Sequence, residues 1–146
     1  MNVKGPWALP DIEAYLVKTV LPLRLAATSE NGWPMVVSLW FLYDGGALLC
    51  ATKRSARITE SLISSPRCGF EIARETAPYF GIRGQGVASI SDDYTIATLD
   101  RLADRYLSHD QNHFRQWLMR TAEDEILIQI RPVAFHSWDY RKRMAA

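Results

Sequence analysis

The side chains best suited to chemistry form one short cluster near the middle of the chain. Lys53, Arg54, Ser55 and Arg57 follow a predicted strand that ends at Thr52, and they begin a segment with helical spacing. Cations and hydroxyls at a helix N-terminus, together with its free N–H groups and dipole, suit a phosphate group. The alternative is an ordinary capped helix that carries a solvated basic turn.

The segments that position this cluster are strongly apolar. Residues 33–43 predict one long strand, and both of its alternating sides are apolar: Val37, Leu39 and Phe41 on one, and Val36, Trp40 and Leu42 on the other. Because both sides are apolar, we expect each side of the strand to be shielded from water. Asp44, Gly45 and Gly46 supply a tight hairpin turn, and residues 47–52 return as the next strand.

The remaining pattern alternates strands with helices. Further strands are predicted over residues 21–29, 68–74, 78–90 and 126–130, with a last strand over 133–140 after an interruption at Pro132. Helices are predicted over residues 11–19, from 57 to just before Pro66, and over 92–107 and 111–121. The pattern predicts a mainly β domain spanning residues 1–146, with six or seven antiparallel strands and inserted helices. Its glycine-rich strand suits a small closed barrel.

Composition narrows the classes of function. A chain of 146 residues with net charge +1 has no long basic block, which argues against a nucleic-acid partner. Its apolar runs are too short to span a bilayer, and the N-terminus lacks the apolar core of a signal peptide, so we expect a cytoplasmic protein without a membrane partner. Cys50 and Cys68 fit buried, reduced thiols, and no metal-ligand spacing accompanies them.

Other chemistries find little support in the sequence. His109 and His113 have helical spacing, but no HExxH motif accompanies them, so a solvated helix face is the better interpretation. Arg83 and Gln85 share one face of a predicted strand, as a solvated surface or as ligand contacts. No autonomous acid–base set is present. A barrel with a phosphate site and no catalytic side-chain set suggests that a bound cofactor carries the chemistry.

The order and spacing of several short motifs resemble the FMN-binding split barrels related to pyridoxamine 5'-phosphate oxidase. The resemblance covers roughly residues 21–140. The motifs are the turn at residues 31–34, the hairpin at Asp44-Gly45, Thr52 followed by Ser55, Arg57 and Leu62, the run Gly86-Val87-Ala88, and a late Trp138. The resemblance implies an antiparallel split barrel that forms a homodimer, with two FMN molecules at the subunit interface.

The resemblance also assigns residues to the cofactor. The strand residues Val37, Ser38, Leu39 and Trp40 would hold the flavin ring, mainly through main-chain and van der Waals contact. Thr52, Lys53, Ser55 and Arg57 would bind its phosphate, and Trp138, from the same or the other subunit, would pack nearby. The implied activity is that of an FMN-dependent oxidoreductase acting on an unknown small molecule.

Departures from the family pattern leave alternatives open. The oxidase has an arginine and a lysine where Val37 and Leu42 align, and a second phosphate cation where Ile58 aligns. Its C-terminal Arg-x-His substrate signature is missing, which argues against pyridoxamine phosphate as the substrate. The competing interpretation is a non-catalytic binding or sensor dimer for flavin, deazaflavin or haem, with His113 or His136 as a haem ligand.

Overall fold

Eight strands, five α-helices and two short 3₁₀ helices, His109–Gln111 and Ala122–Asp124, are present in the computed structural model, which describes residues 1–145. The strands are β1 Asn2–Lys4, β2 Leu23–Thr28, β3 Pro34–Leu39, β4 Leu42–Asp44, β5 Ala47–Lys53, β6 Arg67–Ala73, β7 Phe80–Ser91 and β8 Glu125–Asp139. The helices are α1 Leu9–Lys18, α2 Arg57–Ser64, α3 Thr95–Tyr106, α4 Asn112–Arg120 and α5 Arg141–Met144. No helix among these residues is long and apolar enough to cross a membrane.

All eight strands belong to one sheet that curls into a split barrel. Seven antiparallel strands follow the order β3-β2-β6-β7-β8-β5-β4, and β1 adds a short parallel pairing to β8. The two ends of this order, β3 and β4, are consecutive in sequence, so the sheet must curl back on itself. Residues of β3 and β5 come within 8 Å of each other between Cα atoms, although no ladder joins these strands. The mainly β, antiparallel prediction is therefore confirmed.

The predicted long strand over residues 33–43 is wrong, because it breaks at Trp40 and Phe41. Phe41 turns completely into the core, and its backbone N–H donates to the Tyr106 hydroxyl at 3.2 Å. The Trp40 ring stacks on Tyr106 with centroids 5.2 Å apart. These contacts come from α3, far along the chain, so the apolar pattern of the strand could not reveal the break.

The predicted interruption at Pro132 is also wrong, because β8 runs unbroken from Glu125 to Asp139. Pro132 lies opposite Gly86, where the register between β7 and β8 shifts. A β-bulge leaves a residue outside the regular ladder, so a residue without an N–H is tolerated there. The predicted strands 126–130 and 133–140 are thus one strand.

Gly84 and both cysteines lie where the barrel interior is tightly packed. A Cβ on Gly84 would lie 2.5 Å from the Phe70 ring and 2.4 Å from the carbonyl oxygen of Ala134, so a side chain there would clash with the core. Cys50 is fully buried and Cys68 is nearly so, and both are free thiols. The prediction that both thiols are buried is confirmed. Ile12 and Leu16 of α1 and Ile58 and Leu62 of α2 complete the core.

Candidate functional site

The split between β3 and β5 brings two groups of predicted site residues to one opening. In the β4–β5 ladder, Leu42 pairs with Leu49 and Asp44 with Ala47. Continuing this register past the break would set Leu39 opposite Thr52, but β3 has turned away to pair with β2 instead. The side of β3 that faces the split therefore carries backbone N–H and C=O groups that no strand of residues 1–145 engages.

Side chains on β3 divide between the core and the surface. Val37 and Leu39 are half-buried and pack on the barrel core, whereas Ser38 is exposed on the outer face. Trp40 packs beneath the inserted helices, against Tyr106 and against Phe114, whose ring centroid lies 6.3 Å away. A ligand at the split would thus meet main chain from this segment more than side chains.

The turn from β5 into α2 has the donors that a phosphate needs. Arg57 is exposed at the first position of α2, and within residues 1–145 its guanidinium forms no ion pair or hydrogen bond. The α2 N-cap residue is Ala56, which offers no capping side chain to the helix N-terminus. The Ser55 hydroxyl is exposed in the same turn. Free N–H groups, a cation and a hydroxyl at one helix N-terminus fit a phosphate group.

The other two cations of the turn are already engaged with carboxylates. Lys53 Nζ lies 3.1 Å from Glu125 Oε1, and it also lies 5.4 Å from the centroid of the Trp117 ring. Arg54 Nη2 lies 2.6 Å from Asp92 Oδ1. Both cations are therefore neutralised within the chain, unlike Arg57. Ile58, at the position of that cation, is buried in the core.

Trp138 does not reach this opening within one chain. It lies on β8, opposite Gly81 of β7, whereas β5 pairs with the other end of β8, where Thr52 lies opposite Ile126. The 12 residues from Ile126 to Trp138 span about 40 Å along the strand at about 3.3 Å per residue. Arg83 lies beside Trp138, with its Cζ 5.6 Å from the centroid of the ring.

The sequence analysis did not identify Glu125 or Trp117 as neighbours of the basic turn. Both contact Lys53, one through an ion pair and the other through its ring face. Glu125 is the one buried charged residue in the described part of the chain, and its pairing with Lys53 follows from the β5–β8 register. The single signal in the sequence was an acidic residue at the very start of an alternating apolar strand. Nothing local indicated which strand it would face.

One carboxyl beside the basic turn has a shifted pKa. The shifted carboxyl there is that of Asp92, whose pKa is held below its ordinary value mainly by the hydrogen bond from Arg54. Burial and then the nearby Glu13 carboxylate raise the pKa of Tyr43 to about 12, but Tyr43 lies on β4. Within residues 1–145, no group of three His, Cys, Asp or Glu side chains is placed to hold a metal ion.

Comparisons of the sequence and the structure with known proteins identify the fold. No protein-family model matches the sequence, and no curated protein matches it significantly. Among solved structures, a candidate pyridoxamine 5'-phosphate oxidase from Listeria innocua matches with a TM-score of 0.69 at 15% identity, over 89% of this chain and 98% of that one. The chain has the split-barrel fold of pyridoxamine 5'-phosphate oxidase-like proteins. The resemblance in sequence motifs is thereby confirmed for the fold.

Other split barrels match equally well. The conserved hypothetical protein Rv2991 from Mycobacterium tuberculosis has a TM-score of 0.75 at 20% identity, over 95% of this chain and 89% of that one. An F420 reductase has a TM-score of 0.65 at 24% identity, over 82% and 92%. HutZ, the haem storage protein from Vibrio cholerae, has a TM-score of 0.66 at 16% identity, over 85% and 89%. The split barrel is thus shared by proteins with different ligands.

Proposed function

We propose that this split barrel is an FMN-dependent oxidoreductase of the pyridoxamine 5'-phosphate oxidase-like kind, acting on a small molecule as a cytoplasmic homodimer. The observation that carries the proposal is the juxtaposition of the unpaired side of β3 with a turn in which Arg57 has no partner among residues 1–145. The buried, free thiols agree with a reducing compartment. Bound FMN would supply the hydride-accepting chemistry that the side chains at the split do not offer.

Each part of the opening has a distinct task in this proposal. Arg57, Ser55, Thr52 and the first N–H groups of α2 bind the phosphate, where a charge-assisted hydrogen bond from the guanidinium is the strongest single contact. The main chain of Val37 to Trp40 lines the ring along the unpaired side of β3. Lys53 contributes to the local potential as a cation held by Glu125, rather than as a direct ligand.

A second subunit completes the proposed site. Trp33, just before the edge strand β3, is 73% exposed, and Val36 on that strand is 66% exposed. Together they form an apolar surface that a partner subunit could cover. Trp138 lies too far along β8 from the part that pairs with β5 to reach the opening of its own chain. In a two-fold dimer it would pack beside the cofactor of the partner subunit.

The phosphate contact is tested by comparing FMN with riboflavin. Arg57→Ala should weaken FMN binding by about 1.5–3 kcal/mol, roughly ten- to hundredfold, as measured by fluorescence titration. Riboflavin lacks the phosphate, so its affinity should be nearly equal for the wild type and for Arg57→Ala. Unchanged FMN affinity, or an equal loss for riboflavin, would mean that the turn is only a capped helix.

Turnover separates an enzyme from a binding module. Purified protein should carry a flavin that is identifiable by its absorbance and by mass spectrometry, and it should oxidise NAD(P)H or another electron donor. Stoichiometric flavin without turnover by any donor would favour a sensor or carrier. A deazaflavin in the mass spectrum would replace FMN in the proposal while retaining the site.

Haem is the competing ligand, and His136 is the observation that favours it. His136 lines a groove of about 790 Å³ on the outer face of the sheet. Haem binding would appear as a Soret band that is lost in His136→Ala and retained in His113→Ala, since His113 lies on the exposed side of α4. A Soret band without bound flavin would replace the oxidoreductase proposal.

A further inference from the structure

A single row of polar side chains crosses the outer face of the sheet at one level. The strand registers align one residue from each of six strands, and each is half-buried or exposed: Ser38 of β3, Arg24 of β2, Glu71 of β6, Arg83 of β7, His136 of β8 and Lys4 of β1. Directly cross-strand neighbours on one face lie about 5 Å apart, close enough for their charges to act together. The row therefore forms one electrostatic unit.

A second row, two residues further along each strand, forms the floor of a groove. Its small members Ala26, Gly69 and Ala134 lie between longer side chains from β3, β7 and β1, and Ala26 and Gly69 are direct neighbours. The groove beside the polar row has a volume of about 790 Å³ and is lined by residues of both rows. That volume is in the range of small-molecule binding sites.

Charge is unevenly distributed along the polar row. At the β2 end, Arg24 pairs with Glu75 and stands opposite Glu71. At the β1 end, Lys4 and Arg83 flank His136, and neither cation forms an ion pair within residues 1–145. Glu71 is the other cross-strand neighbour of Arg83, so two cations and a histidine face one carboxylate there. Arg83 Nη2 lies 3.1 Å from His136 Nδ1, which orients the guanidinium and leaves its other donors free.

We infer that the β1 end of this groove binds a small organic acid, with its carboxylate or phosphate held by Arg83, His136 and Lys4. The guanidinium offers a planar pair of donors that matches either oxyanion, and Lys4 adds a point charge. The small-residue floor leaves room for the body of the ligand. The site uses none of the residues assigned to FMN, although His136 is also the histidine of the competing haem proposal. Its place as a substrate site rests on the proposed function. Because Arg83 lies beside Trp138, this site would lie near the partner subunit's cofactor in the proposed dimer. Small organic acids are therefore the first substrates to examine.

Binding of simple anions to the purified full chain tests the inference. Inorganic phosphate and succinate serve as probes of the two oxyanion types, and titration is followed by amide chemical shifts and by calorimetry. At least one probe should saturate and should shift the amides of β7 and β8 around Arg83 and His136. Which probe binds more tightly tells a phosphate ligand from a carboxylate one. Failure of both probes to saturate, or shifts confined to another region, would overturn the inference.

Matched variants test whether the polar row binds the anion probe. Arg83→Gln should weaken the bound probe by roughly tenfold or more. Arg131→Gln, an exposed arginine on neighbouring β8 outside the groove lining, should leave it unchanged. Lys4→Gln, at the sheet edge, should weaken binding less and serves if Arg83→Gln fails to fold. Equal losses in Arg131→Gln and Arg83→Gln would reveal only a general effect of net charge. FMN affinity, measured on the same variants, reports separately on the cofactor site.

Discussion

Lys53 Nζ lies 3.1 Å from the Oε1 of Glu125, its direct cross-strand partner between β5 and β8. Glu125 is only 7% exposed, whereas the lysine side chain is 40% exposed. A carboxylate that is buried to this degree depends on its cation and its hydrogen bonds to offset the lost hydration. Lys53, in the basic turn beside the split, therefore stabilises the fold by pairing with Glu125.

Removing that cation should cost stability more than cofactor affinity. Lys53→Met keeps the apolar stem over Trp117 but leaves Glu125 without a cation, and we expect a loss of about 1–2 kcal/mol in urea unfolding. Adding Glu125→Gln should recover part of the loss, because a neutral amide is cheaper to bury. Arg54→Met is the matched control, since its pair with Asp92 is exposed on both sides and should contribute little to stability. Equal losses in both single variants would remove the distinction.

Arg105 should be the side chain that fastens α3 to the end of α1. Its guanidinium donates to the carbonyl oxygens of Leu16 at 2.9 Å, Val17 at 2.8 Å and Thr19, and its Cζ lies 5.0 Å from the centroid of the Phe41 ring. A lysine cannot reproduce this fork, so Arg105→Lys should lower the free energy of unfolding by about 1–3 kcal/mol.

The control for Arg105 is Arg101→Lys on the same helix. Arg101 pairs with Asp44 at the surface, where such pairs contribute little, so chemical denaturation should detect a change of at most about 0.5 kcal/mol. If Arg105→Lys is equally mild, water satisfies the α1 carbonyls as well as the guanidinium does.

The buried thiols should make the fold sensitive to alkaline pH. Burial raises the pKa of the Cys68 thiol from 9.0 to about 11, and burial raises the pKa of Cys50 as well. The folded state therefore keeps these protons after the unfolded state has lost them. Stability should fall as pH rises from about 8 to 10, by about 1 kcal/mol per thiol.

Two measurements check the thiols. In the Cys50→Ala/Cys68→Ala double variant, the slope of unfolding free energy against pH should flatten over pH 8–10, whatever the absolute stability. A thiol reagent should react slowly with the native wild type and rapidly after denaturation. Fast labelling of either thiol in the native protein would show that it is accessible and would reopen a redox role.

The apolar side chain of Val36 should support the proposed dimer. Val36→Arg places a charge on the exposed face of the edge strand β3, so sedimentation should shift from dimer to monomer and FMN should bind more weakly. Val17→Arg, at an equally exposed valine on α1, should leave both unchanged. A well-folded wild-type monomer at micromolar concentration with FMN present would contradict the assembly.

Much of the fold could be predicted from local chemistry. The positive-φ glycines of the turns, Gly32, Gly45 and Gly46, lie where the sequence placed hairpins. Alternating isoleucines predicted the first part of β8, and helical spacing predicted α2, α3 and α4 to within a few residues. These features depend on neighbours within a turn or a strand, which the sequence displays directly.

The phosphate cluster was also identified locally, since a strand end, a helix start and their cations are contiguous in the chain. By itself the sequence therefore determined the strands, the turns and the placement of Arg57 at a helix N-terminus.

Only the tertiary structure decided where strands break and which charges meet. The break at Trp40 depends on Tyr106, the continuity of β8 at Pro132 depends on a bulge opposite Gly86, and the pairing of Lys53 depends on Glu125. Each partner lies dozens of residues away, and its position is fixed by strand register. A shift of one residue would turn every side chain to the other face. The row that unites Lys4, Arg83 and His136 exists for the same reason, because register alone aligns side chains from distant strands.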